Sequence, residues 1–230
     1  MLENGDVRIN GAVQVAEIAR TSLIRDELPA LAAACDGISA QRNSAATLAT
    51  NLTERREPRE PRFFALVRGA GSSGTVHPSD VAVALTALDA LVEIAAADGS
   101  RVVSMDTLFD RTLHDGDDTV AAVIIPKEAR RGTQYYHEDP APDGSGVTTV
   151  SIAGCKRDNG DVRIVLGGVG TRPWRVNSSI EEDVASGGLD EDIIETLAER
   201  ALYDAEPVSE NAYKVDLAAQ LIRRIIGELA

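Results

Sequence analysis

The first part of the chain combines strand-like and helix-like patterns of apolar residues. Residues 6–13 alternate apolar and polar positions as far as Gly11, which predicts a short strand that leads into a helix. From Val13 to about Ala34, apolar residues recur at helical spacing. Pro29 divides this stretch into two helices, because proline suits the first turn of a helix.

A capped helix, a hairpin and a buried strand are predicted next. Ser79 is a suitable N-cap for a helix that begins at Asp80. Residues 92–105 form two strand-like arms around the dipeptide Asp-Gly at positions 98–99, a common hairpin turn. Residues 119–126 have the apolar run of a buried strand and end in a proline.

The pattern changes near residue 127. Residues 127–146 are polar and are predicted to be irregular. Two alternating arms then surround the dipeptide Asn-Gly at positions 159–160, which is the strongest short-range hairpin signal in the chain. Three helices follow, and Ser178 with Glu181 predicts a capping box at the start of the first one.

These patterns predict an α+β fold with two domains. Residues 1–126 are expected to form a mixed or antiparallel sheet with flanking helices. Residues 127–230 are expected to form a small antiparallel sheet packed on a three-helix unit.

The composition is that of a folded, acidic chain. Hydrophobic residues make up 43% and charged residues 26% of the 230 positions, and the net charge is −14. Nucleic acids and anionic membranes bind basic surfaces, so neither is expected as a partner. There is no membrane-length apolar run and no signal-peptide core, and Cys35 and Cys155 form no metal or redox motif. We therefore predict a cytoplasmic protein with two free thiols.

Residues 45–52, with the sequence AATLATNL, predict a tight loop whose backbone approaches a ligand. Such loops usually carry glycine, but Ala49 and Thr50 stand where glycines are expected. The alternative is a helix end and a turn, where threonine and asparagine are common. Residues 69–74 match the G-x-G-x-x-G pattern of dinucleotide sites, but no helix is predicted at the last glycine, which favours a plain loop.

Long stretches of the chain resemble one protein family, in the same order along the sequence. These stretches are residues 21–52, 77–94, 101–109, 123–126, 162–175 and 211–226. They are similar to the FAD-binding (medium) subunit of molybdenum hydroxylases, of the carbon monoxide dehydrogenase, xanthine dehydrogenase and aldehyde oxidoreductase type. The segments HPSD, RPWR and NAYKVDLA look most like the periplasmic aldehyde oxidoreductase branch.

The resemblance implies an FAD held between two subdomains, and electron transfer from an iron–sulfur subunit to an acceptor. The first subdomain of the family has a glycine-rich loop, and residues 47–51 occupy the place of the Thr-Ile-Gly-Gly-Asn loop of the second. Asp80 matches an acidic residue near the flavin, and Tyr136 matches an aromatic residue that packs on the flavin ring. The cofactor contacts implied in this way are Thr47, Ala49, Thr50, Asn51, Asp80 and Tyr136.

Three departures set this chain apart from the family, two that weigh against FAD and one that weighs against an iron–sulfur cluster. Its first residues match the end of the family's first subdomain, so the first FAD loop is expected to be missing. Both glycines of the second loop are replaced. Residues 53–76 correspond to a cluster-bearing loop of the related branch but contain no cysteine, which predicts that this chain has no iron–sulfur cluster.

The sequence leaves two functions open. In the first, the chain serves electron transfer or assembly in an oxidoreductase complex, with iron–sulfur and molybdopterin subunits and a separate chain that supplies the first FAD subdomain. In the second, it is a flavin-free scaffold or a repurposed protein or enzyme that acts on a small molecule without redox chemistry. A homodimer is expected for the second function, because the missing subdomain would expose apolar surface.

Three further groups of residues are assigned no chemistry. His77, Ser79 and Asp80 lie on a helix cap, where their spacing does not assemble a nucleophile, a base and an orienting acid. His114 beside acidic residues predicts a solvated turn, because a third clustered metal ligand is lacking. Trp174 is expected to pack at a domain junction. No catalytic residue and no metal ligand is therefore predicted.

Overall fold

The computed structural model describes residues 1–41, 45–54, 64–66, 74–97, 99–110, 118–140, 148–208 and 210–230. The strands in these ranges are β1 (Val7–Asn10), β2 (Leu91–Ala96), β3 (Gly99–Ser104), β4 (Thr119–Ile125), β5 (Thr133–Pro140), β6 (Thr148–Lys156), β7 (Val162–Gly167) and β8 (Trp174–Arg175). The helices are α1 (Val15–Arg20), α2 (Ser22–Glu27), α3 (Pro29–Gln41), α4 (Leu48–Thr53), α5 (Asp80–Ala87), α6 (Met105–Asp110), α7 (Ser178–Ser186), α8 (Glu191–Ala201) and α9 (Tyr213–Leu229).

The first sheet is antiparallel and has the strand order β1-β4-β2-β3. β2 and β3 form the predicted hairpin, in which Ala96 pairs with Gly99. In β1, Val7 and Ile9 are buried and alternate with exposed residues, as the sequence pattern predicted. Alternate side chains of this sheet and side chains from α1 to α5 form the first hydrophobic core.

The second sheet, with the antiparallel order β5-β6-β7-β8, contributes side chains to two cores. The predicted hairpin between β6 and β7 is present, and Gly160 in its turn has a φ of +91°. One face of the sheet packs on the first core through Ala153, Cys155 and Val165. The opposite face forms the second core with α7, α8 and α9 through Val150, Ile152, Val162, Ile164 and Leu166.

This architecture confirms the predicted α+β fold class, with an antiparallel sheet and helices followed by a small antiparallel sheet packed on three helices. The predicted division into residues 1–126 and 127–230 stays a prediction. The second sheet belongs to the second unit in sequence, but its side chains fill part of the first core.

Residues 127–146 contain a strand, so the prediction of an irregular segment is wrong. β5 pairs with β6 from Thr133 to Pro140, and residues 141–146 lie outside the described ranges. The apolar signal of β5 is weak because it is an edge strand with polar and aromatic side chains on both faces. Tyr135 packs against the second core and Tyr136 against the first, so the strand is positioned by tertiary contacts.

The predicted capping box of Ser178 and Glu181 is also wrong. Asn177 is the N-cap of α7, and its side chain accepts a hydrogen bond from the Ser179 amide at 3.0 Å. Glu181 instead accepts hydrogen bonds from the Ile164 amide at 2.9 Å and from the Arg175 guanidinium at 2.6–3.1 Å. These contacts raise the pKa of Arg175, and they anchor α7 on β7 and β8.

A single carboxylate ties the first half of the chain to the far end of the second sheet. Asp89, between α5 and β2, has a φ of +49°, a left-handed conformation that aspartate adopts more readily than most residues. Its Oδ2 accepts hydrogen bonds from Arg157 at 2.6 Å and from Arg163 at 3.0 Å. Both guanidiniums are mostly buried, so this carboxylate supplies the opposite charge that they need.

We expect the Glu181→Ala variant to lose about 3 kcal/mol of unfolding free energy, because the Ile164 amide and the Arg175 guanidinium both lose their buried acceptor. Urea denaturation of the variant and the wild type measures the difference. Glu182→Ala is the matched control, since Glu182 is exposed on the same helix turn and its loss should change the free energy by less than about 0.5 kcal/mol. Equal stability of the two variants would contradict this account of α7.

Candidate functional site

Residues 45–52 lead into helix α4, so the expected tight loop is replaced by a helix start. Thr47 is the N-cap of α4, and its Oγ1 accepts a hydrogen bond from the Thr50 amide at 3.3 Å. In return, the Thr47 amide donates to Thr50 Oγ1 at 3.0 Å. This is a reciprocal capping box with threonine in the position usually held by glutamate or glutamine.

The next amides of α4 are bonded to the segment that joins β1 to α1. The Leu48 amide donates to the Val13 carbonyl and the Ala49 amide donates to the Gly11 carbonyl, both at 2.8 Å. The amides of residues 47, 48, 49 and 50 therefore all have hydrogen-bond acceptors within the chain. The start of α4 offers no free amide from these four positions to a ligand.

Asn51 connects α4 to the start of α5. Its side chain is buried, and its Oδ1 accepts a hydrogen bond from Ser79 Oγ at 2.6 Å. Ser79 is the predicted N-cap of α5, and the prediction is confirmed by a hydrogen bond of 2.9 Å from the Ala82 amide to Ser79 Oγ. Asn51 and Ser79 thus fix the two helix starts against each other.

His77 contacts backbone atoms on both sides of its ring. The Ser79 amide donates to His77 Nδ1 at 3.3 Å, and His77 Nε2 lies 3.2 Å from the Leu52 carbonyl. This arrangement fits a neutral imidazole with its hydrogen on Nε2. The ring also makes an edge contact with Phe109, with centroids 4.6 Å apart. Because the ring bonds to the Ser79 amide and not to its hydroxyl, it is not placed to activate Ser79 as a nucleophile.

Asp80 and Tyr136, predicted from distant parts of the sequence, lie in one cluster of polar side chains. Asp80 begins α5, and its two carboxylate oxygens accept hydrogen bonds of 2.7 Å from Thr148 and Ser151 on β6. The Tyr136 hydroxyl donates to Glu138 Oε2 at 3.2 Å. Burial, followed by the charges of Asp80 and Glu138, raises the pKa of Tyr136 well above 10.0, so the phenol stays protonated.

Glu138, Thr148 and Ser151 also belong to this cluster, although they were not predicted as site residues. Residues 136 and 138 share one face of β5, and they lie opposite residues 153 and 151 of β6. The alternation along β5 and β6 was the available signal, but it could be used only once residues 133–140 were identified as a strand.

The residues at the start of α4 do not fit a diphosphate. A helix start binds phosphate through amides that have no partner in the protein. Here those amides are bonded within the chain, and the Ala49 and Thr50 side chains occupy positions where glycine would leave the backbone open. The roles of Thr47, Ala49, Thr50, Asn51, Asp80 and Tyr136 as FAD contacts therefore stay predictions.

The other predicted features have structural roles or lie outside the described ranges. Residues 67–73 and 111–117, which include most of the glycine pattern and His114, are outside them. Trp174 packs against the second core and lines two cavities of about 450 Å³ each, one of which Asp106 of α6 also lines. Burial raises the pKa of Cys35 to about 12 and that of Cys155 to about 11, so both remain thiols.

No group of three His, Cys, Asp or Glu side chains in the described ranges is placed to hold a metal ion. Among the helices that the structure describes, none is long and apolar enough to cross a membrane.

Comparisons with known proteins give one consistent result. A family model described as "FAD binding domain in molybdopterin dehydrogenase" matches residues 2–128. The chain is 25% identical over 265 aligned positions to the aldehyde oxidoreductase FAD-binding subunit PaoB of Escherichia coli (strain K12). This alignment covers 97% of the chain and 78% of that protein.

Two solved structures share the fold. One is carbon monoxide dehydrogenase from Hydrogenophaga pseudoflava that lacks the Mo-pyranopterin moiety, with a TM-score of 0.77 and 17% identity over 99% of this chain and 76% of that chain. The other is quinoline 2-oxidoreductase from Pseudomonas putida 86, with a TM-score of 0.76 and 18% identity over 100% of this chain and 76% of that chain. At these identities the similarity shows the fold alone.

We expect Thr47→Ala to lower the unfolding free energy by about 1 kcal/mol, because it removes the side chain that caps α4. Chemical denaturation measures the loss. Thr53→Ala is the matched control at the other end of the helix, where the exposed Thr53 hydroxyl donates to the Ala49 carbonyl. If both variants are equally stable, the capping box has no energetic role.

Proposed function

The chain belongs to the family of FAD binding domains of molybdopterin dehydrogenases, and we propose that it is a structural subunit of an oxidoreductase complex of the molybdenum hydroxylase type. Its role in this proposal is assembly: it occupies the place of the FAD-binding subunit and contacts the iron–sulfur and molybdopterin chains. The relative PaoB is by its name such a subunit in an aldehyde oxidoreductase.

The observation that carries this proposal is the closed start of α4. The amides of residues 47–50 bond to Thr50, Val13, Gly11 and Thr47, so diphosphate binding would require these bonds to break. Each net hydrogen bond contributes about 1 kcal/mol, so the exchange would offset much of what a phosphate contact gains. The chain has the family fold, but the amides of residues 47–50, which were expected to bind the cofactor, donate to acceptors within the protein.

Electron transfer with a bound FAD is the second candidate function. The observation in its favour is that Asn51, Ser79, Asp80 and Tyr136 form one continuous set of contacts between α4, α5 and β5. Under this proposal a separate chain with a glycine-rich loop supplies the diphosphate contacts. FAD would then supply the redox chemistry, and Asp80 and Tyr136 would be the residues of this chain beside it.

We expect the purified chain to be folded and colourless, and to remain colourless after it is mixed with FAD and freed from the excess. The visible absorption spectrum measures retained flavin, with PaoB as the positive control. The double variant Ala49→Gly/Thr50→Gly tests the local cause, since it removes the added side chains and the Thr50 half of the capping box. Flavin retained by the wild type would contradict the assembly role and favour electron transfer.

A second experiment tests the complex itself. We expect the tagged chain, isolated from its native host at low ionic strength, to copurify with chains that contain iron–sulfur clusters and molybdopterin. Metal analysis of the eluate gives the measurement. A chain isolated alone as a stable homodimer would contradict the assembly role and leave the repurposed scaffold as the remaining function.

A further inference from the structure

Five polar side chains meet where the start of α5 contacts the edge strand of the second sheet. Asp80 belongs to α5, Tyr136 and Glu138 belong to β5, and Thr148 and Ser151 belong to β6. Asp80 is 8% exposed and Ser151 is fully buried, whereas Glu138 is half-buried. The group therefore joins the two halves of the chain, and its partly exposed members include Glu138 and Thr148.

The backbone of α3 covers the Glu138 carboxyl from another side. A Cβ atom placed on Gly37 would lie 2.8 Å from Glu138 Oε2, so a larger residue would collide with this carboxyl group. α3 thus lies directly on the carboxyl group, which leaves it little room to move while α3 stays in place. A rearrangement of Glu138 would therefore change the packing of β5 against α3.

The hydroxyl groups of the cluster provide three hydrogens. The Ser151 and Thr148 hydroxyls lie 2.7 Å from Asp80 Oδ1 and Oδ2, so their hydrogens go to Asp80. The Tyr136 hydroxyl is left to donate to Glu138 at 3.2 Å. Thr148 Oγ1 is also 3.3 Å from Glu138 Oε2, but its hydrogen is already directed at the closer Asp80 oxygen. A protonated Glu138 can donate its own hydrogen to Thr148 Oγ1 across this contact.

We infer that Glu138, Thr148 and Asp80 form a proton-dependent clasp between β5 and α5. The clasp is closed while Glu138 is protonated and Thr148 links the two carboxyl groups. When Glu138 loses its proton, two carboxylates compete for the Thr148 hydrogen, and Glu138 turns toward water. β5 is then held by its pairing with β6, and its contact with α3 loosens.

The electrostatic surroundings support this assignment. Burial, followed by the charge of Asp80, raises the pKa of Glu138 above its ordinary value of 4.5, and its contacts with the Tyr136 and Thr148 hydroxyls oppose the rise. Next to Gly37 on α3, Cys35 is a buried thiol, and Asp36 pairs with Arg25 at 3.0 Å. On the opposite face of β5, His137 pairs with Glu228 of α9. Among the described residues of α5, Asp80 is the one titratable group.

The raised pKa of Glu138 determines how the stability of the fold changes with pH. A carboxyl group whose pKa is higher in the folded than in the unfolded state stabilises the fold fully below its unfolded pKa. That stabilisation is lost as the pH rises through the raised folded pKa. The clasp therefore predicts that the folded protein loses stability on the alkaline side of pH 4.5, because Glu138 ionises there.

The test compares melting temperatures of the wild type, Glu138→Gln and Glu128→Gln between about pH 4 and pH 8. Glu128 is exposed in the turn before β5, so its variant removes the same formal charge without touching the clasp. We expect Glu138→Gln to melt at a higher temperature than the wild type at the alkaline end, and the difference to vanish at the acidic end. Glu128→Gln should follow the wild type throughout. A Glu138→Gln curve parallel to the wild type would overturn the inference.

A second measurement needs no variant. The carboxyl carbon resonance of Glu138 in the wild-type protein reports its protonation directly, and amide hydrogen exchange reports the opening of β5 and α3. We expect exchange in these two elements, corrected for its intrinsic pH dependence, to accelerate over the same pH range in which Glu138 titrates. Titration of Glu138 at its ordinary pKa, or exchange that is independent of its protonation, would also overturn the inference.

Discussion

The burial of the second sheet on both faces is the constraint on which the rest of the structure depends. Seven of the nine residues of β6 are buried, because one face of the strand belongs to the first core and the other to the second. A strand in this position must be apolar on both faces. Where a polar side chain does occur, it needs a partner from the layer that it faces. Ser151 meets Asp80, and Arg163 meets Asp89.

The polar contacts between the halves of the chain can be understood from this constraint. Asp80 lies at the start of α5 and Asp89 lies just after its end, so one short helix places a carboxylate toward each end of the second sheet. Asp80 contacts hydroxyl groups near a second carboxyl group, whereas Asp89 contacts two guanidiniums. The interface is therefore not a uniform apolar contact, and its two ends respond differently to pH and to salt.

Local sequence signals predicted the elements whose cause is local. The hairpins β2–β3 and β6–β7, the cap at Ser79 and the three C-terminal helices needed only patterns within a few residues. β5 and Glu181 were mispredicted because their partners belong to other secondary-structure elements. Glu181 bonds to Ile164 on another element, and β5 takes its conformation from β6 and from two cores. A single-sequence pattern contains no record of such partners.

The candidate site shows the same division between local and distant information. The resemblance to a known family predicted the fold correctly and drew attention to residues 47–51, Asp80 and Tyr136. The capping box of Thr47 and Thr50 changes the interpretation of residues 47–51. The threonine side chains supply hydrogen-bond acceptors to the amides at the helix start, which a ligand would otherwise have to supply. Glu138 could be placed beside Asp80 only from the strand pairing, since 58 positions separate the two residues along the printed sequence.

The two-sided role of β5 also bears on how this segment can vary during evolution. Odd-numbered residues such as Tyr135 and His137 face α9 and the second core, whereas Tyr136 and Glu138 face α3 and α5. Inserting or deleting one residue would exchange the two sets of side chains. A carboxyl group would then enter an apolar core, and an aromatic ring would lose its contacts with the core on which it packs. A change of length by one residue therefore disturbs both cores at once, whereas a single substitution disturbs the one core that its side chain faces. Homologues of this chain should keep the length of the strand even where its residues differ.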